Sequence, residues 1–294
     1  VIDRCVKTAI EIALPEKSNL KEIVRKNIDA QMELIKNKTN NKDKIENNYS
    51  LEGLNIEGDL SSIMLQLESF DKYLQDSDKS LNRNFNILFY GPPGTGKSEL
   101  ARYIGKHLER EIMCKRASDI VSSYIGETEQ NLNKVFRRAE EEDKILIIDE
   151  ADSFLYKREW AIRSWEISQT NEFLTQMERF RGILICTTNM LCGLDSASIR
   201  RFNHKIKFDY LKPEGNVIFY RRLLASLAND PLNENIENEL RSIRQLTPGD
   251  FRIVRDRYSF YKPHDLNHQL LLESLRKEAS IKQFQRDGGK RIGF

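Results

Sequence analysis

Between Asn86 and Phe208 the chain alternates short apolar runs with longer stretches whose apolar residues recur every three or four positions. Asn86 to Tyr90, Glu111 to Lys115, Ile145 to Asp149, Gly182 to Thr187 and Lys205 to Phe208 are predicted strands. Lys97 to His107, Glu127 to Glu141 and a segment carrying Phe173, Leu174 and Met177 are predicted helices. This alternation predicts an α/β fold with a parallel sheet, because parallel strands need crossover connections and the helices that make them cover both faces. After Pro213 the strand signal stops. Val217, Tyr220, Leu224 and Leu227, then Ile236, Leu240 and Ile243, keep helical spacing and predict a smaller all-helical subdomain. Thr247-Pro248-Gly249-Asp250 supplies a helix start, with a capping hydroxyl, a proline in the first turn and a carboxylate near the positive end.

Ahead of this region, Val24, Ile28, Met32 and Ile35 stand at helical spacing, whereas Lys36 to Asn48 is polar except for Ile45 and has the composition of a solvated linker. The expected organisation is a helical segment and linker over 1–48, an α/β subdomain over 49–210 and a helical lid with a C-terminal tail over 211–294. No internal repeat of fixed period is visible. The chain begins at Val1 and not at a methionine, and reads as a fragment or a processed piece.

Composition narrows the partners. Of 294 residues, 39% are hydrophobic and 31% charged, which allows about two domains and excludes a disordered chain. Lys and Arg number 47 against 45 Asp and Glu, so bulk charge indicates neither a nucleic acid nor a membrane surface. Cys5, Cys114, Cys186 and Cys192 lack zinc-site spacing and read as reduced thiols. With no apolar run near the ~18 residues of a membrane span, and with Asp3, Arg4 and Lys7 where a signal peptide would be apolar, the expected setting is soluble and cytoplasmic.

Gly91-Pro92-Pro93-Gly94-Thr95-Gly96-Lys97-Ser98 fits G-x-x-x-x-G-K-[ST], directly between a strand and a helix. Its glycines let backbone N–H groups turn towards a nucleotide's phosphates, Lys97 reaches the terminal ones, and the Ser98 hydroxyl is a Mg²⁺ ligand. Ile145 to Glu150 is an apolar strand ending in two carboxylates, in which Asp149 holds Mg²⁺ through water and Glu150 polarises the attacking water. The letters DEAD at Asp149 to Asp152 suggest a helicase, but no accompanying helicase motif is present. Asn189 ends another apolar strand and either orients the water or caps a turn. Arg200 and Arg201 are either solvated or positioned to neutralise phosphoryl charge.

Taken together, the GPPGTGKS loop, IIDEADSF, CTTN and LDSASIRRF resemble the AAA family of P-loop NTPases over about Leu51 to Tyr258. The resemblance implies ATP and Mg²⁺ as ligands, ATP hydrolysis, and a ring, usually a hexamer. Arg200-Arg201 before Phe202 is most similar to the finger pair of the katanin and spastin branch, which implies that both reach a neighbouring subunit's ATP. Tyr124-Ile125-Gly126 is similar to the pore loop with which such rings grip a polypeptide, although an aromatic at this place also suits a core. Tyr156 to Trp165, with Lys157, Arg158 and Arg163, looks like a second pore-facing loop or ordinary solvated charge. The implied work is remodelling, unfolding or disassembly of a protein partner. A nucleotide-switched scaffold and a nucleic-acid motor are the alternatives.

There are departures as well. Gly249 brings no side chain where many relatives contact nucleotide from the lid, and Arg252 reads either as a substitute for a sensor arginine or, preferably, as a surface helix residue. His264 and His268, four apart, read as an exposed pair and not as metal ligands. Gly288 to Arg291 reads as a solvated tail.

Overall fold

The computed structural model describes residues 51–76, 84–156, 164–189 and 194–288. The helical segment and linker expected over 1–48, the charged residues Lys157, Arg158 and Arg163, and the tail after Gly288 lie outside the described residues.

Six strands form one sheet: β1 (Asn55–Glu57), β2 (Phe85–Tyr90), β3 (Ile112–Arg116), β4 (Ile145–Asp149), β5 (Ile183–Thr188) and β6 (His204–Asp209). Their order is β1-β6-β2-β5-β4-β3. The five predicted strands run parallel, with each boundary within a residue of the sequence pattern. An antiparallel edge strand, β1, is an addition: Asn55 pairs with Asp209 and Glu57 with Lys207. Three residues are too few to carry a readable period, so only the partner strand identifies it.

Among the described residues seven helices accompany the sheet: α1 (Leu60–Asp76), α2 (Lys97–His107), α3 (Ala117–Ile120), α4 (Glu127–Glu141), α5 (Asp152–Leu155), α6 (Ser164–Arg179) and α7 (Ser196–Ile199). The pleat sends alternate residues of each strand to opposite faces. Leu88, Leu146, Ile148, Leu184 and Cys186 face one core, with Leu132 and Phe136 of α4 and Phe173 and Met177 of α6. Phe173 stacks on Phe154 with ring centroids 5.2 Å apart and meets the edge of Phe136 at 5.9 Å. Ile87, Phe89, Ile145, Ile147, Ile183 and Ile185 face the other core, with Leu100 and Ile104 of α2 and Leu67 of α1. Burial on both sides is why these strands read as nearly unbroken apolar runs.

From Pro213 onward the described residues hold only helices: α8 (Pro213–Leu223), α9 (Glu234–Ser242), α10 (Pro248–Tyr258) and α11 (His268–Gly288), plus two short 3₁₀ turns. Their apolar faces meet around Tyr220, Leu240, Phe251, Leu271 and Leu275. The predicted start of α10 forms a full capping box, Thr247 and Asp250 each satisfying the other's backbone N–H.

The exposed-pair expectation fails for one of the two histidines. His264 is exposed beside Asp265, but His268 is buried, its Nδ1 2.8 Å from the Tyr220 hydroxyl and its Nε2 2.8 Å from the Asp230 carbonyl. One ring N–H donates to the carbonyl while the other nitrogen accepts from tyrosine, so a neutral imidazole is fully satisfied there. Burial correspondingly pushes the Tyr220 hydroxyl's pKa up. Among the described residues no cluster of three His, Cys, Asp or Glu is placed to hold a metal ion, and no helix is long and apolar enough to cross a membrane.

Candidate functional site

Because β2 ends at Tyr90 and α2 begins at Lys97, residues 91–96 must turn sharply over the carboxyl edge of the sheet. Gly91, Gly94 and Gly96 do so with φ of +138°, +77° and +98°. Gly91 also passes so close to β6 that a Cβ there would stand 2.0 Å from the Phe208 carbonyl oxygen. Thr95 is buried and its hydroxyl donates to the Pro92 carbonyl at 2.8 Å, while Pro93 and Gly94 form the exposed crest.

Lys97 is only 6% exposed, and its ammonium donates to the Gly91 and Pro92 carbonyls, both at 2.8 Å. Burial pushes its pKa down to about 8, although the charges of Asp149 and Asp152 pull the other way. A desolvated ammonium on two neutral carbonyls at a helix start is a receptor for an anion.

β5 lies between β2 and β4, so the loop after β2, the carboxylates after β4 and Asn189 after β5 emerge on one edge of the sheet. That edge is where open α/β sheets bind ligands. The Ser98 hydroxyl donates to Asp149 Oδ1 at 2.9 Å, which joins the two expected metal ligands directly. Thr187 donates to the same oxygen and accepts from the Glu150 N–H at 3.2 Å. Ala151 N–H donates to the Thr187 carbonyl at 2.9 Å, and the Thr188 hydroxyl bonds Asp152. Glu150 itself is exposed and holds φ of +56°, a backbone region costly for a side chain with a Cβ, which aims it away from the strand line. Asn189 is exposed at the end of β5. The sequence reading missed Thr187 and Thr188. Their signal was two hydroxyls at the tip of an otherwise apolar strand.

The donors fit the ligands that the motifs imply. The Ser98 hydroxyl and, through water, the Asp149 carboxylate present only oxygen, the hard donor that Mg²⁺ prefers. The three turned glycines leave backbone and the Lys97 ammonium, not side-chain bulk, facing the phosphate position.

The arginines stand elsewhere. Arg200 is exposed at the end of α7, and Arg201 is half-buried, its Nε donating to Glu178 at 2.7 Å and its Nη1 to the Ala197 carbonyl at 2.8 Å. Asn203, two residues on, exchanges hydrogen bonds of 2.7 and 2.8 Å with the backbone of Asn86 at the start of β2. Both arginines therefore sit at the amino edge of the sheet. Gly91 lies at the other edge, about 16 Å along β2 at some 3.3 Å per residue, too far for either side chain to reach this chain's own phosphate loop.

Tyr124 and Ile125 occupy a loop between α3 and α4 and are 77% and 82% exposed, which rules out the core alternative for Tyr124. The loop's base is tied: Ser122 N–H donates to Thr128 Oγ1 at 2.9 Å, and Gly126, with φ of +82°, starts α4. Tyr156 bridges to Leu194 in the backbone at the start of the second expected loop. On the lid, Gly249 N–H donates to the Gly94 carbonyl at 2.9 Å, and Arg252 points to Glu99 of α2 at 3.9 Å. Arg252 is thus half-buried beside the phosphate-loop helix.

Residues 87–210 match the family model described as "ATPase family associated with various cellular activities (AAA)". The chain is 31% identical over 169 residues to vacuolar protein sorting-associated protein 4 of Dictyostelium discoideum, covering 55% of this chain and 37% of the relative. It is 30% identical over 170 residues to spastin of Xenopus tropicalis, covering 55% and 28%. The chain therefore spans less than half the length of these relatives. In three dimensions it is similar to the crystal structure of the FIGL-1 AAA domain in complex with ADP, with a TM-score of 0.57 and 20% identity over 80% of this chain and 82% of the other. That likeness is one of fold.

Proposed function

Starting from the AAA ATPase domain that spans residues 87–210, we propose that this chain hydrolyses ATP within a homo-oligomeric ring, usually a hexamer, and uses the energy to remodel, unfold or disassemble a protein partner. The observation that carries the reading is the buried Lys97 ammonium, held on the Gly91 and Pro92 carbonyls on the same sheet edge as the bonded Ser98–Asp149 pair. Gly91, Pro92, Pro93, Gly94, Thr95 and Gly96 wrap the phosphates with backbone N–H groups, and Lys97 binds the terminal ones. Ser98 and Asp149 hold Mg²⁺, which when bound neutralises phosphate charge. Glu150 takes the proton side of the attacking water, Asn189 orients that water, and Thr187 keeps Asp149 and Glu150 in place. The absence of paired or zinc-spaced cysteines in the sequence fits reduced thiols, and on that reading we assign the cytoplasm.

Placement of Arg200 and Arg201 on the edge opposite the phosphate loop is compatible with a ring, since any nucleotide that arginines so placed serve is a neighbour's and not this chain's own. Arg200→Ala and Lys97→Ala chains should each have lost at least about 10²-fold of the parent ATPase rate when assayed alone. Mixed together they should recover part of it, because one interface then joins an intact loop to an intact finger. Turnover independent of protein concentration, with no recovery on mixing, would overturn the ring.

Tyr124 and Ile125 offer apolar area and a π-face to a passing chain without demanding a particular sequence. Because Tyr124 is exposed, Tyr124→Ala should change stability by less than about 0.5 kcal/mol, against roughly 3–5 kcal/mol for a buried aromatic. Basal ATPase should survive while stimulation by an unfolded protein is lost. Unchanged stimulation would favour a nucleotide-switched scaffold over threading.

A further inference from the structure

The helix α11 reaches the phosphate loop through a short chain of polar side chains. Lys282 Nζ lies 2.5 Å from Asp250 Oδ2, 3.3 Å from Thr247 Oγ1 and 3.5 Å from the Gln245 carbonyl oxygen, with the Tyr210 ring centroid 5.8 Å away. Asp250 is 3% exposed, and the same oxygen accepts from the Thr247 N–H at 2.7 Å and its hydroxyl at 2.9 Å. A carboxylate this buried persists as an anion only with donors and a cation around it, and Lys282 is the cation. The turn so fixed is the one that carries Gly249, whose N–H holds the Gly94 carbonyl. Thr247 Oγ1 stands 2.9 Å from where a Cβ on Gly94 would be, so the turn rests on the crest of the loop with no room to spare.

We propose that Lys282 is a positioning residue for nucleotide binding: through Asp250 and Thr247 it seats Gly249 on Gly94 and holds the phosphate loop ready before nucleotide arrives. The proposal rests on the nucleotide-site reading above. When only a fraction of molecules holds the receptive loop, apparent affinity falls by that fraction. Once phosphate is bound, its own contacts keep the loop in place. Loss of the Lys282 link therefore raises the Kd and KM for nucleotide and leaves kcat near the parent value. Simple destabilisation does the opposite, lowering the active concentration and hence apparent kcat at constant KM.

The test uses the full chain, fluorescence titration with N-methylanthraniloyl-ADP, and steady-state ATPase. Lys282→Met should raise Kd and KM about tenfold, equivalent to ~1.4 kcal/mol. Lys282→Arg keeps a cation at the carboxylate and should stay within about twofold of the parent. Gly249→Ala leaves the ion pair intact but puts a Cβ 3.1 Å from Gly94 Cα and 3.3 Å from its carbonyl oxygen, so turn and loop must part by a few tenths of an ångström, enough to loosen the Gly249–Gly94 hydrogen bond. It should raise Kd about fivefold, and it decides the matter if Lys282→Met does not fold. Unchanged Kd in Lys282→Met or Gly249→Ala, a fall in kcat at constant KM, or failure of arginine to restore binding would each overturn the proposal. A parent chain that binds no analogue would overturn the nucleotide reading itself, and this proposal with it.

Discussion

Glu150→Gln is expected to bind ATP as tightly as the parent chain and to hydrolyse it at least about 10²-fold more slowly. Glutamine has the same shape, keeps the N–H that bonds Thr187, and meets the same backbone cost at φ of +56°. What it lacks is the carboxylate charge that would take a proton from water. Lys97, Ser98 and Asp149 are connected to one another without Glu150, through the loop carbonyls and the Ser98–Asp149 bond, so binding has no reason to change. Equilibrium binding measured beside single-turnover hydrolysis checks both halves. Equal loss of binding in Glu150→Gln and Lys97→Ala would make Glu150 a binding residue instead.

Lys97→Ala should weaken nucleotide binding by at least about 10²-fold, since charge-assisted hydrogen bonds to phosphate are among the strongest a side chain makes. The parent chain should also show the lysine's titration. Its pKa is down to about 8 in the free protein. Affinity should therefore fall as pH rises through 8, and binding in that range should take up protons, because a bound phosphate favours the charged amine. The sign for stability is opposite to that of a paired lysine. Between about pH 8 and 10.5 the unfolded chain holds more protons at this position, so the group's unfavourable contribution to folding shrinks as pH rises there. Calorimetry of ADP binding in two buffers of different ionisation enthalpy measures the proton uptake. A Kd that is flat from pH 7 to 9 would remove Lys97 from the phosphates.

The parallel strands and the phosphate loop were legible in the sequence because local chemistry dictates them. Ile145 to Ile148 is an unbroken apolar run of the kind a doubly covered strand shows, and three glycines just ahead of a lysine have few uses between a strand and a helix. What depends on distant partners was not legible. β1 exists only because β6 is there to pair with it, and His268 is buried only because Tyr220 and Asp230 offer it two hydrogen bonds. Thr187 and Thr188 become site residues only when β5 is known to adjoin β4. Likewise the two arginines look alike as letters, yet Glu178 holds one and not the other, and their distance from Gly91 follows from the direction of β2 and β6.

The strand order also governs how the chain emerges from the ribosome. β2 lies between β5 and β6, the last two of the described strands to be synthesised, so one of its edges waits unpaired until Thr188 has left the exit tunnel and the other until Asp209 has. Until the first of these a nascent chain carries the run Phe85–Tyr90, apolar on both faces and open on both sides, the kind of edge that templates pairing with another chain. Late strands close an early one, so the six-stranded sheet is complete only after its last strand is made.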